Sequence, residues 1–556
     1  MRVPPQAAAI AVAFAILVTA FGARTLIELD TVGLVLAIDQ QDLRAHQPTP
    51  PGSILYLWFA QFCNAWIGNA WWALRVVSLS TLLGAALVTA HLAARLASPR
   101  AASLALLAFL ASPLVLFCGM TASSFAADAL VASLTALLCV RALQRAGSAS
   151  LGVESYLIGL AVGLRAQSVV FALPLWGWTL HHMRMSRHQR GLALVAWLTG
   201  ITCWALPEVQ HAGGLGGYLE ASWTLARHAT LGSVVGGAWG NLAGRAAQIG
   251  VALLAGMGVA RVLWILVSRA GATRRDAMHA PMAAAPWTRE ALAVTRAAFW
   301  SVWLVPILLW TLLYSLPAPG ALLGSWPALC VLFAIASTRR AHGRLGSRRI
   351  IAAIVLDVLL FFAVPVSQLS GPARIVFGDA VFFHERVESG QLAAVLDTLR
   401  STDVDTRQAL FLTSQPAHRA LAYWAPEMPI VHADALRPYA MLVYRERRAR
   451  TVGDAYEVPA EVRWVIAAGR AGQFSRAQNA LLGPAWPRVA RGGLEIVRVG
   501  PGPIDAWFVP ERSTESALHL HLVRGLPPSD PSDAASERAG LQRDATDGSR
   551  YGAATR

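Results

Sequence analysis

Apolar runs recur through the first two thirds of the chain, near residues 5–24, 73–94, 101–118, 124–140, 152–164, 167–182, 191–208, 246–268, 297–315, 319–337 and 350–367. A helix that crosses a bilayer needs about 20 such residues, so the pattern predicts about eleven transmembrane passes. The run at 152–164 is short and abuts the next. Joining the two would carry the loops around Arg274-Arg275 and Arg339-Arg340 to the exterior, against the tendency of basic residues to stay on the cytoplasmic side. Two separate spans are therefore expected, with the N-terminus inside and everything beyond residue 367 outside.

After residue 367 the apolar runs shorten and charges of both signs return. Strand-like runs at Ala409–Leu412, Val462–Ile466 and Leu494–Val497 alternate with helical stretches at 390–400 and 473–482, the signature of a small external α/β domain over 368–512. From residue 513 to 556 the composition turns to Ser, Asp, Pro, Gly and Ala, and a disordered tail is expected.

Composition agrees with the pattern. Of the 556 residues 55% are hydrophobic and only 14% charged, with a mean hydropathy of +0.47, which excludes a soluble enzyme and identifies an α-helical polytopic membrane protein. The net charge of +15 comes entirely from arginine. Up to residue 367 there are 25 Arg against 11 acids, and beyond it 22 against 21, so the excess belongs to the membrane part and reflects topology rather than nucleic-acid binding. The five cysteines lie in or beside apolar segments without a CxxC pair, so neither a disulfide framework nor a thiolate metal site is expected.

Four of those 11 acids, Glu28, Asp30, Asp39 and Asp42, crowd behind the first span. Glu28 and Asp30 lie within about a turn of the membrane surface, a place from which a carboxylate can act as a general base; they are equally readable as solvated loop residues. His46-Gln47-Pro48-Thr49-Pro50-Pro51-Gly52 follows, where the prolines stiffen the backbone and the glycine permits a sharp turn. Arg165 interrupts an apolar hairpin and needs an anionic partner, either a bound phosphate or Asp128 in the fourth span. The external segment beginning at the end of the 191–208 span carries Glu208, His211, Tyr218, Glu220, Trp223, Arg227, His228 and Asn241, a polar and aromatic set suited to a sugar, or else a plain connector.

Asp30-Thr31-Val32-Gly33 followed by His46-Gln47-Pro48-Thr49-Pro50-Pro51-Gly52-Ser53-Ile54-Leu55-Tyr56 resembles the first external loop of bacterial GT-C glycosyltransferases, the multispanning enzymes similar to protein O-mannosyltransferases and aminoarabinose transferases. Thr49 stands where that family has a second His, and Ser53-Ile54 where it has Tyr-Pro. Further echoes are Ala73-Leu74-Arg75, Ser112-Pro113-Leu114, Gly163-Leu164-Arg165 and Trp326-Pro327-Ala328-Leu329, so the likeness covers roughly residues 10–340. The resemblance implies a GT-C fold over 1–367 and a polyprenyl-phosphate sugar donor in the bacterial inner membrane. It also implies transfer on the external (periplasmic) face to a lipid, glycan or protein acceptor.

On that reading Asp30 is the base with Glu28 and His46 in support, and Arg75 and Arg165 approach the donor phosphate. Gln47, Asp128, Tyr218, Glu220, Arg227 and His228 line the substrate. A divalent metal is compatible with the family and is assigned no ligands. Two other classes remain open from the residues alone: a transporter or flippase for a lipid-linked or anionic substrate, and a non-catalytic membrane scaffold.

Overall fold

The computed structural model describes residues 5–23, 29–39, 47–145, 148–183, 185–226, 297–313, 319–340 and 344–363. It also describes single positions between these segments, and ten strands with a few neighbouring residues from 395 onward. The chain divides into two compact units, Met1–Gln391 and Leu392–Arg556.

The described helices of the first unit are α1 (Pro5–Phe21), α2 (Leu29–Asp39), α3 (Ile54–Ile67), α4 (Ala70–Leu96), α5 (Pro99–Leu110), α6 (Pro113–Met120), α7 (Ala126–Arg145), α8 (Ser148–Ala161), α9 (Val169–His182), α10 (Arg187–His211), α11 (Leu215–Ala226), α12 (Ala297–Leu313), α13 (Trp326–Arg340) and α14 (Arg344–Ala363). Four described helical stretches are long and apolar enough to cross a membrane: α4, Ala126–Gln144, α10, and Gly320–Thr338. The pair α5 and α6, bent by 54° at Pro113, adds a fifth as a broken span. The expected runs at 5–24, 152–164 and 297–315 are met by shorter apolar helices, and most of the run at 246–268 lies outside the described residues.

Pro113 has no N–H to give, so the helix stops before it, and carbonyls left open there need other donors. Arg261 supplies them. Its Nη1 donates to the Ala108 carbonyl at 2.6 Å and its Nη2 to that of Ala111 at 3.1 Å, while Nε meets Asp357 Oδ2 of α14 at 2.8 Å. Both side chains are 1% exposed. Across the same break, Trp326 Nε1 donates to Ser112 Oγ at 2.6 Å, which joins two of the motifs singled out in the sequence.

Small residues set the closest helix contact. A Cβ on Gly159 of α8 would overlap the Trp197 carbonyl of α10, and one on Gly200 would overlap the Tyr156 carbonyl of α8. With lipid outside, such close backbone approach is a main source of association. Trp204 Nε1 donates to the Gly159 carbonyl at 2.9 Å, and Trp204 occupies the space above Gly163. Gly159 and Gly163 thus meet Gly200 and Trp204 in the same order, so α8 and α10 run in the same direction, with α9 the return segment that links them in sequence. Their C-terminal ends, at Arg165 and Glu208, are brought to one side.

In the second unit the expected runs are strands β1 (Ala409–Thr413), β6 (Trp464–Ala468) and β8 (Leu494–Arg498), within a six-stranded mixed sheet of order β3-β2-β1-β6-β8-β7. The remaining members are β2 (Ile430–Ala433), β3 (Ala440–Val443) and β7 (Arg488–Arg491). β1 has parallel partners on both sides, and Ala409–Leu412 are buried, which accounts for its unbroken apolar run. A four-stranded sheet of order β4-β5-β10-β9 joins β4 (Arg450–Val452), β5 (Ala455–Val458), β9 (Ile504–Phe508) and β10 (Leu518–Arg524). β10 corrects the expectation of a disordered tail from 513. Leu518-His519-Leu520-His521-Leu522 alternates with strand period, and the Ser- and Pro-rich residues around it masked that pattern.

Gly152 and Gly159 share α8, but among the described residues a Cβ on Gly152 meets nothing within 4 Å. Gly159→Leu should therefore lower stability by about 1–3 kcal/mol through overpacking, while Gly152→Leu is neutral or stabilising; thermal unfolding of the two purified variants in detergent is the check.

Candidate active site

The site begins with the loop that enters α3. Gly52 takes φ +101, a conformation natural only to glycine, and its N–H donates to the Thr49 carbonyl at 3.1 Å to close a turn. From this turn Thr49 Oγ1 donates to Asp30 Oδ1 at 3.0 Å. Asp30 is half-buried in the first turn of α2. The residue that departs from the family pattern is therefore the one that orients the candidate base.

Gly52 binds the loop to the other two elements. Its carbonyl accepts the Ala166 N–H at 3.4 Å, beside Arg165. The Glu208 carboxylate from the end of α10 occupies the space a Gly52 side chain would need. Gln47, at the start of the same loop, is buried, and its Nε2 has no hydrogen-bond partner among the described residues.

Arg165 sits in extended conformation between two single 3-10 turns, Val162–Leu164 and Ala166–Ser168, where the hairpin of α8 and α9 breaks. Its Nε donates to Gln167 Oε1 at 2.7 Å and lies 3.3 Å from Asp128 Oδ2; Nη1 donates to Ser124 Oγ at 3.0 Å, and the guanidinium carbon stands 3.7 Å from the Phe125 ring centre. Asp128 in turn accepts from Ser168 Oγ at 2.6 Å. Nη2 makes no hydrogen bond among the described residues, so one face of a buried cation is uncommitted.

Arg75 is placed differently. Its Nη2 donates to the Val18 carbonyl at 2.9 Å and its Nη1 to that of Ala23 at 3.4 Å, closing the end of α1, and its guanidinium lies 4.7 Å from the Trp72 ring. Tyr218 of α11 packs on Leu43, Ala212 and Ala221, which lays that helix over the first-loop segment. Burial pushes its phenol up to about 12, with the charge of Glu208 adding to the effect. Glu220 is exposed on the same helix. Glu28, His46, Arg227 and His228 lie outside the described residues.

The structure thus ties Asp30 to the loop through Thr49, and the Arg165 hairpin with Asp128 to the same loop through Ala166. It adds Thr49, Ser124, Gln167 and Ser168, which sequence reasoning did not assign to the site, and brings in Glu208, which it placed in the polar external segment. Glu208 carried a signal, being an acid at the end of an apolar run. Among the described residues no group of three or more His, Cys, Asp or Glu side chains is arranged to hold a metal ion. The arrangement offers a half-buried carboxylate and a cation with a free donor edge, the pair needed to take a proton and to hold an anionic group.

The fold is that of ArnT, and the chain is a multi-pass membrane protein. Its structure is similar to the crystal structure of ArnT from Cupriavidus metallidurans bound to undecaprenyl phosphate, at 15% identity and a TM-score of 0.54, covering 88% of this chain and 97% of that one. ArnT from the same organism in the apo state matches at 15% identity and a TM-score of 0.52, covering 88% and 96%. No protein-family model and no curated protein matches the sequence.

Arg165→Ala would leave the Asp128 carboxylate buried without its cation, at a cost of roughly 3–5 kcal/mol. Arg165→Ala with Asp128→Asn should recover most of the loss. Melting temperatures of the single and double variants measure it, and a double variant as unstable as the single would show that the pair is not coupled.

Proposed function

We propose that the chain is a glycosyltransferase that moves a sugar from a polyprenyl-phosphate carrier to an acceptor hydroxyl on the external face of the inner membrane. The observation that carries the reading is the tethering of Asp30 and the Arg165 hairpin to one loop, Thr49 holding the first and Gly52 the second. The likeness of fold to ArnT bound to undecaprenyl phosphate supports the choice of donor.

In this mechanism the acceptor oxygen attacks the anomeric carbon, Asp30 takes the hydroxyl proton, and the anomeric C–O bond to phosphate breaks, its electron pair leaving with the polyprenyl phosphate. The uncommitted Nη2 of Arg165 faces the charge that grows on the leaving phosphate, a contact worth about 1.5–3 kcal/mol. Asp128 keeps that guanidinium oriented. Arg75, engaged with the end of α1, holds the membrane segment from which the first loop emerges. Glu28 and His46 support Asp30, and Gln47, Tyr218, Glu220, Arg227 and His228 complete the substrate side.

Asp30→Asn keeps the Thr49 contact and removes the base, so the protein should insert normally yet lose transfer by about a hundredfold or more. Asp39→Asn, at the exposed end of α2, should lose far less. The assay uses the purified protein with a panel of polyprenyl-phosphate-linked sugars, guided by mass spectrometry of envelope glycans and lipids with and without the gene. Parental-rate transfer by Asp30→Asn would remove Asp30 from the mechanism.

A further inference from the structure

Glu208 is 1% exposed, and among the described residues neither carboxylate oxygen makes a hydrogen bond of standard geometry. A buried carboxylate so poorly matched is costly, and a chain has no reason to keep one in a purely packing role. What the group faces gives it a use. It lies against Gly52 and opposite the amide of Ile54, the first residue of α3. Ser53, at the N-cap of that helix, makes no side-chain capping bond, so the first turn takes no acceptor from the side chain of its own cap residue. A carboxyl oxygen brought from α10 meets that need.

We propose that Glu208 is the positioning residue of the candidate active site. It caps α3 from a distance, and in doing so fixes the backbone at Gly52 from which Thr49 reaches Asp30 and the Gly52 carbonyl reaches Ala166. Its catalytic consequence rests on the glycosyltransferase reading above; its structural consequence does not. Because the Arg165 cluster is held by Asp128, Ser124 and Gln167, loss of Glu208 should disturb the base rather than the donor contact.

The test uses the full-length protein in lipid nanodiscs, comparing Glu208→Gln, which keeps shape and one acceptor oxygen, with Glu208→Leu, which keeps only bulk. Amide exchange over residues 47–57 should rise about tenfold in Glu208→Leu and stay near parental in Glu208→Gln, with α7 unchanged in both. Adding Ser53→Asp, a local cap, should restore protection to Glu208→Leu. In the transfer assay kcat should fall about tenfold or more for Glu208→Leu at unchanged KM for the lipid donor. If Glu208→Leu does not accumulate, Glu208→Ala takes its place. Equal exchange in the Leu and Gln variants, failure of Ser53→Asp to restore protection, or a loosened loop with undiminished kcat each overturns the proposal. Absence of transfer by the parental protein from every polyprenyl-phosphate sugar would defeat the glycosyltransferase reading and leave the exchange experiment to decide Glu208 by itself.

Discussion

The absence of a side chain at Gly52 is the constraint on which the candidate site depends. At φ +101 the backbone turns in a way that other residues resist, the space where a Cβ would stand is filled by the Glu208 carboxylate, and the carbonyl points to the Ala166 amide. A loop from the start of the chain is thereby locked to the ends of α8 and α10. Those ends coincide because Gly159 and Gly200 let the two helices touch backbone to backbone and run in parallel. Glycine positions in the membrane helices and in the loop thus act together, one setting the platform and the other fastening the loop to it.

Arginine in apolar surroundings does a second job. Arg75 closes the end of α1, Arg261 closes the end of α5 before Pro113, and Arg165 stands in the break between α8 and α9. A bilayer offers no water to satisfy backbone groups exposed where a helix stops, so a long cationic side chain at each stop is physically reasonable. The three differ in what they hold. Arg75 and Arg261 bond backbone carbonyls, which cannot be released without unmaking a helix end. Arg165 bonds only side chains, which can rearrange around an arriving anion, and this difference supports its part as the phosphate contact in the proposed reaction.

Much of this was readable in the sequence. Among the described residues, apolar runs gave helices at the expected places, including the separation of 152–164 from 167–182, because periodicity and length are local properties. The three strand-like runs became β1, β6 and β8 for the same reason. Asp30, the Pro-rich loop, Arg165 and Asp128 stood out as polar residues in apolar surroundings. What could not be read was long-range. Nothing in Glu208, 156 residues downstream, announces that it fills the space over Gly52, and nothing in Thr49 announces that it orients Asp30. The break at Pro113 splits a run that hydropathy alone reads as one helix over 101–118, and the alternation in β10 was hidden by its flanks.

Gly52 and Gly68 allow the central claim to be tested against its own control. Both have positive φ, +101 and +68, so alanine strains the backbone at either. A Cβ at Gly68 meets nothing within 4 Å, whereas one at Gly52 collides with Glu208. If the locked loop organises the site, Gly52→Ala should lose transfer by about a hundredfold and expose residues 47–57 to amide exchange, while Gly68→Ala keeps most activity and protection. Equal and modest effects of the two substitutions on the 47–57 exchange would contradict the account.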